Sequence, residues 1–299
     1  MTDKPLGAKS SLLTLYDLHS HTTASDGMLA PEALVERAVA MGVDVLAITD
    51  HDTLAGVAAA GQAIIRQSLP LTLIPGVEIS TLWQNHEIHI VGLGVDAAHP
   101  AMTALLAAQR EKRLERAMII AQRLEHAGIP GAWEGARAFA GEGVITRGHF
   151  ARYLVSIGKA DNLAAVFKKY LSKGNPGYTP SRWCTIEEAV DAVRQAGGQT
   201  VVAHPGRYQL SAKWLKRLLD HFVAAGGDGM EVASCQQSLQ ERILLAGYAR
   251  ERQLLGSQGS DFHMPCAWIE LGRKLWLPGG VEPIWRDWPT QSAIQPSLF

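Results

Sequence analysis

Apolar runs that stop at a histidine or a carboxylate constrain this chain most. "LTLYDLHSHTTASDG" leads from Leu13, Leu15 and Tyr16 to Asp17, His19, His21 and then Asp26. "VDVLAITDHD" ends at Asp50 and His51, and "LTLIPGVEIS" reaches Glu78. "QTVVAHPG" ends at His204, and "LLGSQGSDFH" runs into Asp261 and His263. In a strand, residues two apart share a face, so the spacing predicts Asp17, His19 and His21 on one side. A single His there reads as a hydrogen-bonded core residue. Five strand ends carrying such residues are not explained by packing. His89 fits less well, because it sits inside "IHIVGLGVD", near its start.

Between these runs lie helical patterns. "PEALVERAVAMG" has Pro31 near its start and Gly42 near its end. "TIEEAVDAVRQAGG" opens with a capping box, Thr185 to Glu188, and closes on Gly197. "SAKWLKRLLDHFVAAGG" has Ser211 at its N-cap, and "SLQERILLAGYARERQ" opens with a second box, Ser238 to Glu241. Alternating β and α units predict a mostly parallel sheet. About seven units predict a closed (β/α) barrel, in which C-terminal strand ends converge on one site. From Ala97 the rhythm changes to helices: a long one from Ala101 towards His126, then others near 134–141, 147–157 and 161–172. The expected division is a barrel at 12–96 and 186–280, a helical insertion at 97–185, and a C-terminal tail at 281–299.

Charge separates the same segments. Residues 97–185 hold 13 Lys and Arg against 6 Asp and Glu, a balance of +7, and the rest holds 15 against 23, a balance of −8. A basic segment in an acidic body can attract a polyanion, or be a solvated helical face, since much of the excess lies in "QREKRLERAMIIAQR". Cys184, Cys235 and Cys266 are odd in number and in no CxxC pair, which fits a reducing compartment. The run Leu12 to Tyr16 is too short for a signal peptide, and no 18-residue apolar run exists. The expectation is a cytoplasmic protein with no membrane contact and no obligate protein partner.

Imidazoles and carboxylates without thiolates favour Mn²⁺, Fe²⁺ or Zn²⁺ over softer metals. Eight or so candidates exceed what one catalytic ion takes from protein, so several ions sharing a bridging carboxylate is the economical reading. Such clusters activate water and clamp phosphoryl oxygens, which predicts phosphoester hydrolysis. The sequence holds no G-x-S-x-G elbow, P-loop or GxGxxG.

"DLHSHTTASDG", "AITDHDT", "PGVEIS", "HIVGL", "VVAHPGRY" and "GSDFH" resemble, in order, the motifs of the PHP (polymerase and histidinol phosphatase) superfamily. "TRGHFARYLV", "VFKKYLSKGNPGY", "SAKWLKRLLDHF" and "WIELGRKLWLP" look like its RNase AM and 3′,5′-nucleoside bisphosphate phosphatase branch. The resemblance implies a distorted seven-stranded (β/α) barrel, three metal ions with Mn²⁺ foremost, and an insertion covering the substrate. Fe²⁺, Zn²⁺ and Mg²⁺ are alternatives. Carried over, His19, His21, Glu78 and Asp261 would form a first site. Glu78 would bridge to a second ion held by His89 and His204, and Asp26, His51 and His263 would form the third. The implied catalytic set is His19, His21, Glu78, His204, Asp261 and His263. Asp17 and Asp50 would orient imidazoles, and Arg147, His149 and Arg207 would bind phosphate. Implied substrates are nucleoside 3′,5′-bisphosphates, losing the 3′-phosphate, and 5′-monophosphorylated RNA, trimmed from its 5′ end, including rRNA 5′ ends. The rivals are a small-molecule phosphatase of the histidinol-phosphatase type and a non-enzymatic metal-bound module.

Overall fold

The computed structural model describes residues 14–288. Seven strands form one sheet in sequence order: β1 (Tyr16–Asp17), β2 (Val45–Ile48), β3 (Thr72–Trp83), β4 (His86–Leu93), β5 (Gln199–Val202), β6 (Gly229–Ala233) and β7 (Leu255–Gln258). The sheet curls until its first and last strands meet. Leu18 N donates to Gln258 O at 3.1 Å, Gln258 Nε2 donates to Tyr16 O at 2.9 Å, and Ser20 bridges Phe262. Gly259 makes this approach feasible, because a Cβ there would lie 2.3 Å from the Cβ of His19.

Alternation along the strands builds two layers. Val45 and Ala47, Ile74, Val91 and Leu93, and Val201 pack inside the barrel. Leu46, Ile48 and Leu73 face outward onto α1 (Pro31–Ala40) and α2 (Ala55–Gln67). Ile88, Ile90, Val202, Met230 and Val232 pack outward with residues of α7 (Ile186–Gln195), α8 (Ala212–Ala224) and α9 (Leu239–Glu251). The interior is plugged at one end by residues assigned from sequence to the tail. Ile284 is fully buried, Trp285 stacks on Tyr16 with ring centroids 4.3 Å apart, and Trp288 Nε1 donates to Gln199 Oε1. Packed structure therefore continues past 281 to Trp288; residues 12 and 13 of the expected barrel and 289–299 of the tail lie outside the described residues.

The sheet is mostly parallel, as expected, with one exception: β4 runs antiparallel to both β3 and β5. The cause is a tight turn at Gln84 and Asn85, both with positive φ, which folds β3 and β4 into a hairpin instead of leaving room for a crossover helix. One expectation is corrected: the opening strand ends at Asp17. Tyr16 and Leu18 pack with the interior cluster, and His19 and His21 follow on non-strand backbone.

The capping box at Thr185 and Glu188 forms reciprocally. At Ser238 only half of one forms: its side chain accepts from Glu241 N, with no return bond from the Glu241 carboxylate. Between β4 and α7 lie α3 (Pro100–His126), α4 (Ala132–Ala140), α5 (Arg147–Ser156), α6 (Leu163–Val166) and a π-helical turn (Phe167–Leu171). These helices share their own core, including Ile120, Leu124, Phe150, Leu154 and Leu171. The first half of α3 fastens them to the barrel. Gln109 donates to Ser80 O at 2.6 Å, and Arg113 pairs with Asp52 at 2.6 Å.

Candidate active site

The inward columns lead to the site. At the parity of Val45 and Ala47, β2 continues to His51; at the parity of Ile74, β3 reaches Glu78. On β4, at the parity of Val91, stands His89. Because β4 is antiparallel, its beginning lies beside the far ends of its neighbours, and His89 pairs in register with Ser80. That is why a histidine near the start of its run joins the others.

Glu78 is fully buried at the centre. Its Oε1 lies 2.8 Å from His89 Nδ1 and 2.9 Å from His204 Nε2. Its Oε2 lies 2.9 Å from His51 Nδ1, 3.4 Å from His21 Nε2 and 3.5 Å from His19 Nε2. Asp261 Oδ1 stands 3.3 Å from His19 Nε2 and 3.2 Å from His21 Nε2. Asp26 Oδ1 is 3.4 Å from His263 Nε2, 3.7 Å from His51 Nε2 and 4.0 Å from His21 Nδ1. His204 reaches the site from a residue with positive φ just beyond β5. All nine side chains expected to hold metal are thus brought together.

Groups able to hold an ion are His19, His21 and Glu78; His51, Glu78 and His89; and His21, Asp26, His51 and His263. A test of fit comes from hydrogen bonding. Buried polar atoms in folded proteins are almost always paired. Here Glu78 Oε2, His51 Nδ1, His19 Nε2 and Asp26 Oδ1 are buried without a hydrogen bond among the described residues. Glu78 Oε2 nevertheless faces His51 Nδ1 and His19 Nε2, and Asp26 Oδ1 faces His51 Nε2, across about 3–4 Å. Acceptor facing acceptor is costly unless a cation lies between, so the donor set fits divalent metals.

The electrostatics agree. Burial raises the carboxyl pKa of Glu78, but His89, His51 and His19 outweigh it and hold it well below the usual range. Asp26 and Asp261 are likewise held low by neighbouring imidazoles against the effect of burial. For His263, burial lowers the pKa while Asp261 and Asp26 raise it more, to about 9. His21 is pushed down to about 3, by burial first and His263 next. The carboxylates thus demand positive charge while crowding prevents every imidazole from supplying it.

Glu231 went unnoticed in the sequence. It is buried, lies inward on β6, accepts from His19 Nδ1 through Oε1 at 2.5 Å, and accepts from His204 N through Oε2 at 2.6 Å. It orients the His19 imidazole and anchors the backbone of His204. Its one signal is a carboxylate inside the apolar strand "GMEVAS". Asp17 and Asp50 do not have the expected task. Asp17 accepts from Ser260 N and Gly272 N, tying β1 to the loop after β7. Asp50 accepts from Thr22 N, Thr22 Oγ1 and Ser25 Oγ, holding the His21–Asp26 turn. Asp17 lies on the other parity from Leu18, and hydroxyls nearer than any ring take up Asp50.

Beside the carboxylate cluster opens a cavity of about 330 Å³, bordered by Asp26, His51, His89 and His263 on the barrel side. The insertion supplies Arg113, Arg116, Arg147 and Arg152 to its wall. Arg116 Nη2 and Arg147 Nη2 each lie 2.6 Å from a different oxygen of Glu87, and Trp183 lies under the guanidinium groups of Arg113 and Arg116. Of these arginines sequence reasoning singled out only Arg147. Arg113 and Arg116 lie in the basic run on α3, where spacing alone does not say which residues turn inward. His149 is buried and does not line the cavity; its Nδ1 accepts from Thr146 N at 3.0 Å as part of its own helix cap. Arg207 bonds Asp261 outside the cavity wall.

A (β/α) barrel with a cation-demanding cluster under an arginine-lined cavity defines the class of metal-dependent phosphoesterases. Within that class the chain belongs to the PHP domain family, which matches residues 17–173. It is 64% identical over 274 residues to a 5′-3′ exoribonuclease, Rnm, of Salmonella typhimurium, covering 92% of this chain and 94% of that one. It is 44% identical over 273 residues to a 3′,5′-nucleoside bisphosphate phosphatase of Chromobacterium violaceum, covering 91% and 95%. A solved structure from Bifidobacterium adolescentis, described as a metal-dependent phosphoesterase, superposes with a TM-score of 0.76 at 30% identity, covering 90% and 92%.

Proposed function

We propose that this enzyme removes nucleotides from the 5′ end of 5′-monophosphorylated RNA and releases the 3′-phosphate of nucleoside 3′,5′-bisphosphates. One observation carries the reading: the carboxylate–imidazole cluster and four arginines border the same cavity. The substrates named for the two relatives support it. In both reactions the bond broken lies 3′ of a nucleotide that bears a 5′-phosphate, so one site serves both. Trimming of rRNA 5′ ends is the corresponding cellular task. The three cysteines are free thiols, which supports a cytoplasmic setting. No helix among the described residues is long and apolar enough to cross a membrane.

His19, His21, Asp26, His51, Glu78, His89, His204, Asp261 and His263 would hold three divalent ions, Mn²⁺ foremost. Bound there, the ions supply Lewis-acid activation of water and neutralise phosphoryl charge. Glu231 keeps His19 in one orientation, so its Nε2 stays aimed at the cluster. Arg147 holds the 5′-phosphate, for which the planar guanidinium fork is suited. Glu87 keeps the Arg147 and Arg116 forks in place and yields them to the incoming phosphate. Trp183, whose ring centroid lies 4.9 and 5.2 Å from the guanidinium carbons of Arg113 and Arg116, gives the wall an aromatic group for the nucleoside.

The test is a substrate panel with one variant. Binding energy of a 5′-phosphate anchor positions the scissile bond, so adenosine 3′-monophosphate should be a much poorer substrate than adenosine 3′,5′-bisphosphate. Arg147→Ala should lower kcat/KM for the bisphosphate by roughly 10- to 100-fold, from about 1.5–3 kcal/mol for a charged hydrogen bond, and leave metal content unchanged. On the 3′-monophosphate the same variant should act like wild type. Equal rates on the two substrates, or an equal loss on both, would remove the anchor from the reading.

A further inference from the structure

Arg116 is a partition. On one side its guanidinium pairs with Glu87 in the cavity wall. On the other it donates to the carbonyl of Thr179, from Nε at 3.3 Å and Nη2 at 3.2 Å. Beyond it lies a second depression, of about 160 Å³, between the outer face of α3 and the segment 179–182. Lys112, Arg116 and Arg123 face it from α3, at positions i, i+4 and i+11 on one side of the helix, and Arg182 faces it from the opposite wall. Glu115 is the single acidic residue of its lining. Lys112 and Arg182 form no ion pair among the described residues. Thr179, which lines the depression, is only 5% exposed, yet its Oγ1 has no hydrogen-bond partner among the described residues.

A solvated helical face would alternate its charges and bury no unpaired hydroxyl. This depression instead gathers four cations against one acid and sets an unpaired hydroxyl in its wall. We infer that it is the track for the RNA backbone 3′ of the nucleotide held in the cavity. Lys112, Arg123 and Arg182 contact successive phosphates there, and Thr179 donates its hydroxyl to a phosphate or ribose oxygen. Along α3, Lys112 to Arg123 spans about 16 Å, longer than a single phosphate group. The chain must leave the cavity past some wall, and the wall at Arg116 opens onto positive charge. Contacts made only to the backbone carry no base preference, so the track reads chain length and polyanion charge, not sequence. This inference rests on the proposed exoribonuclease reading.

The experiment compares wild type with the double variant Lys112→Ala/Arg182→Ala. Three substrates are used: adenosine 3′,5′-bisphosphate, a 5′-phosphorylated dinucleotide and a 5′-phosphorylated RNA decamer. On the bisphosphate the variant should match wild type within about twofold. On the decamer kcat/KM should fall roughly 10-fold at low salt, with the dinucleotide in between. The slope of log kcat/KM against log salt should become shallower by about 1.4, two lost phosphate contacts at about 0.7 each. Thr179→Val, which keeps the shape and removes the hydroxyl, should lower only the decamer rate. Charge reversal, Lys112→Glu/Arg182→Glu, should deepen the decamer-selective loss. Wild-type rates and salt slope on the decamer in both double variants would overturn the track while leaving the exoribonuclease reading intact. An equal loss on the bisphosphate would also overturn it, since the residues would then act on the cavity or the fold. A wild-type enzyme that hydrolyses the bisphosphate but cuts no RNA would overturn the exoribonuclease reading itself, and the track with it.

Discussion

Glu78 carries more of the site than any other side chain, because five imidazoles approach its two oxygens to within 3.5 Å. Its ionisation is needed for all of them. Glu78→Gln keeps the volume and removes the charge. At least one metal equivalent should be lost, measured by elemental analysis of purified protein. Activity should drop by at least roughly 100-fold, since even residues that merely orient ligands cost 10–100-fold when replaced. A variant with full metal content and wild-type rate would remove Glu78 from the centre.

Helix α5 shows how an element can be built for the site. Its N-cap Thr146 accepts from Gly148 N and donates to Asp26 Oδ2 at 2.9 Å, so the cap and a carboxylate of the cluster share a hydroxyl. The position usually taken by Glu or Gln is His149, whose Nδ1 accepts from Thr146 N and must be unprotonated to do so. Burial pushes the pKa of His149 down to about 4, against a smaller opposing pull from Asp26. The unfolded chain takes up this proton near pH 6.5 and the folded chain only near 4. The stabilisation is therefore complete above about 6.5 and is lost as pH falls towards 4. In urea unfolding of metal-free protein, wild type should exceed His149→Asn by about 0.5–2 kcal/mol near pH 7.5. That margin should shrink by up to about 1.4 kcal/mol per pH unit below 6.5. A margin constant from pH 7.5 to 5 would show that the imidazole titrates alike in both states.

For the whole molecule, the barrel and the inserted helices have separate cores joined beside the site, where Asp52 receives Gln109 and Arg113. The carboxylate–imidazole cluster lies where the ends of distant chain segments meet, so cations bound there would hold the fold together as well as activate the enzyme. Mn²⁺ at about 100 times its dissociation constant should add about 2.7 kcal/mol per site. In thermal unfolding of chelator-stripped protein this corresponds to a rise in midpoint of at least about 5 °C. No rise on adding Mn²⁺, Fe²⁺ or Zn²⁺, with no stoichiometric uptake, would contradict a metal centre.

The sequence by itself determined the barrel class, the inserted helices and nearly the whole cluster of donors. These are local facts. Period-two alternation places His51 and Glu78 on inward columns, and caps such as Thr185 and Ser211 mark helix starts within a few residues. Only the tertiary structure decided how the donors are shared and what surrounds them. The β3–β4 hairpin reverses one strand and brings His89 in, a change of direction that no residue of "IHIVGLGVD" announces. Glu231 reaches His19 across 212 positions, and Arg113 and Arg116 turn to the cavity because Asp52 and Glu87 receive them. Asp17 and Asp50, adjacent to the histidines in sequence, hold backbone and hydroxyls instead. Spacing fixes which face of its own element a side chain takes. What meets that face depends on chain crossings, and their energy lies in contacts between residues far apart.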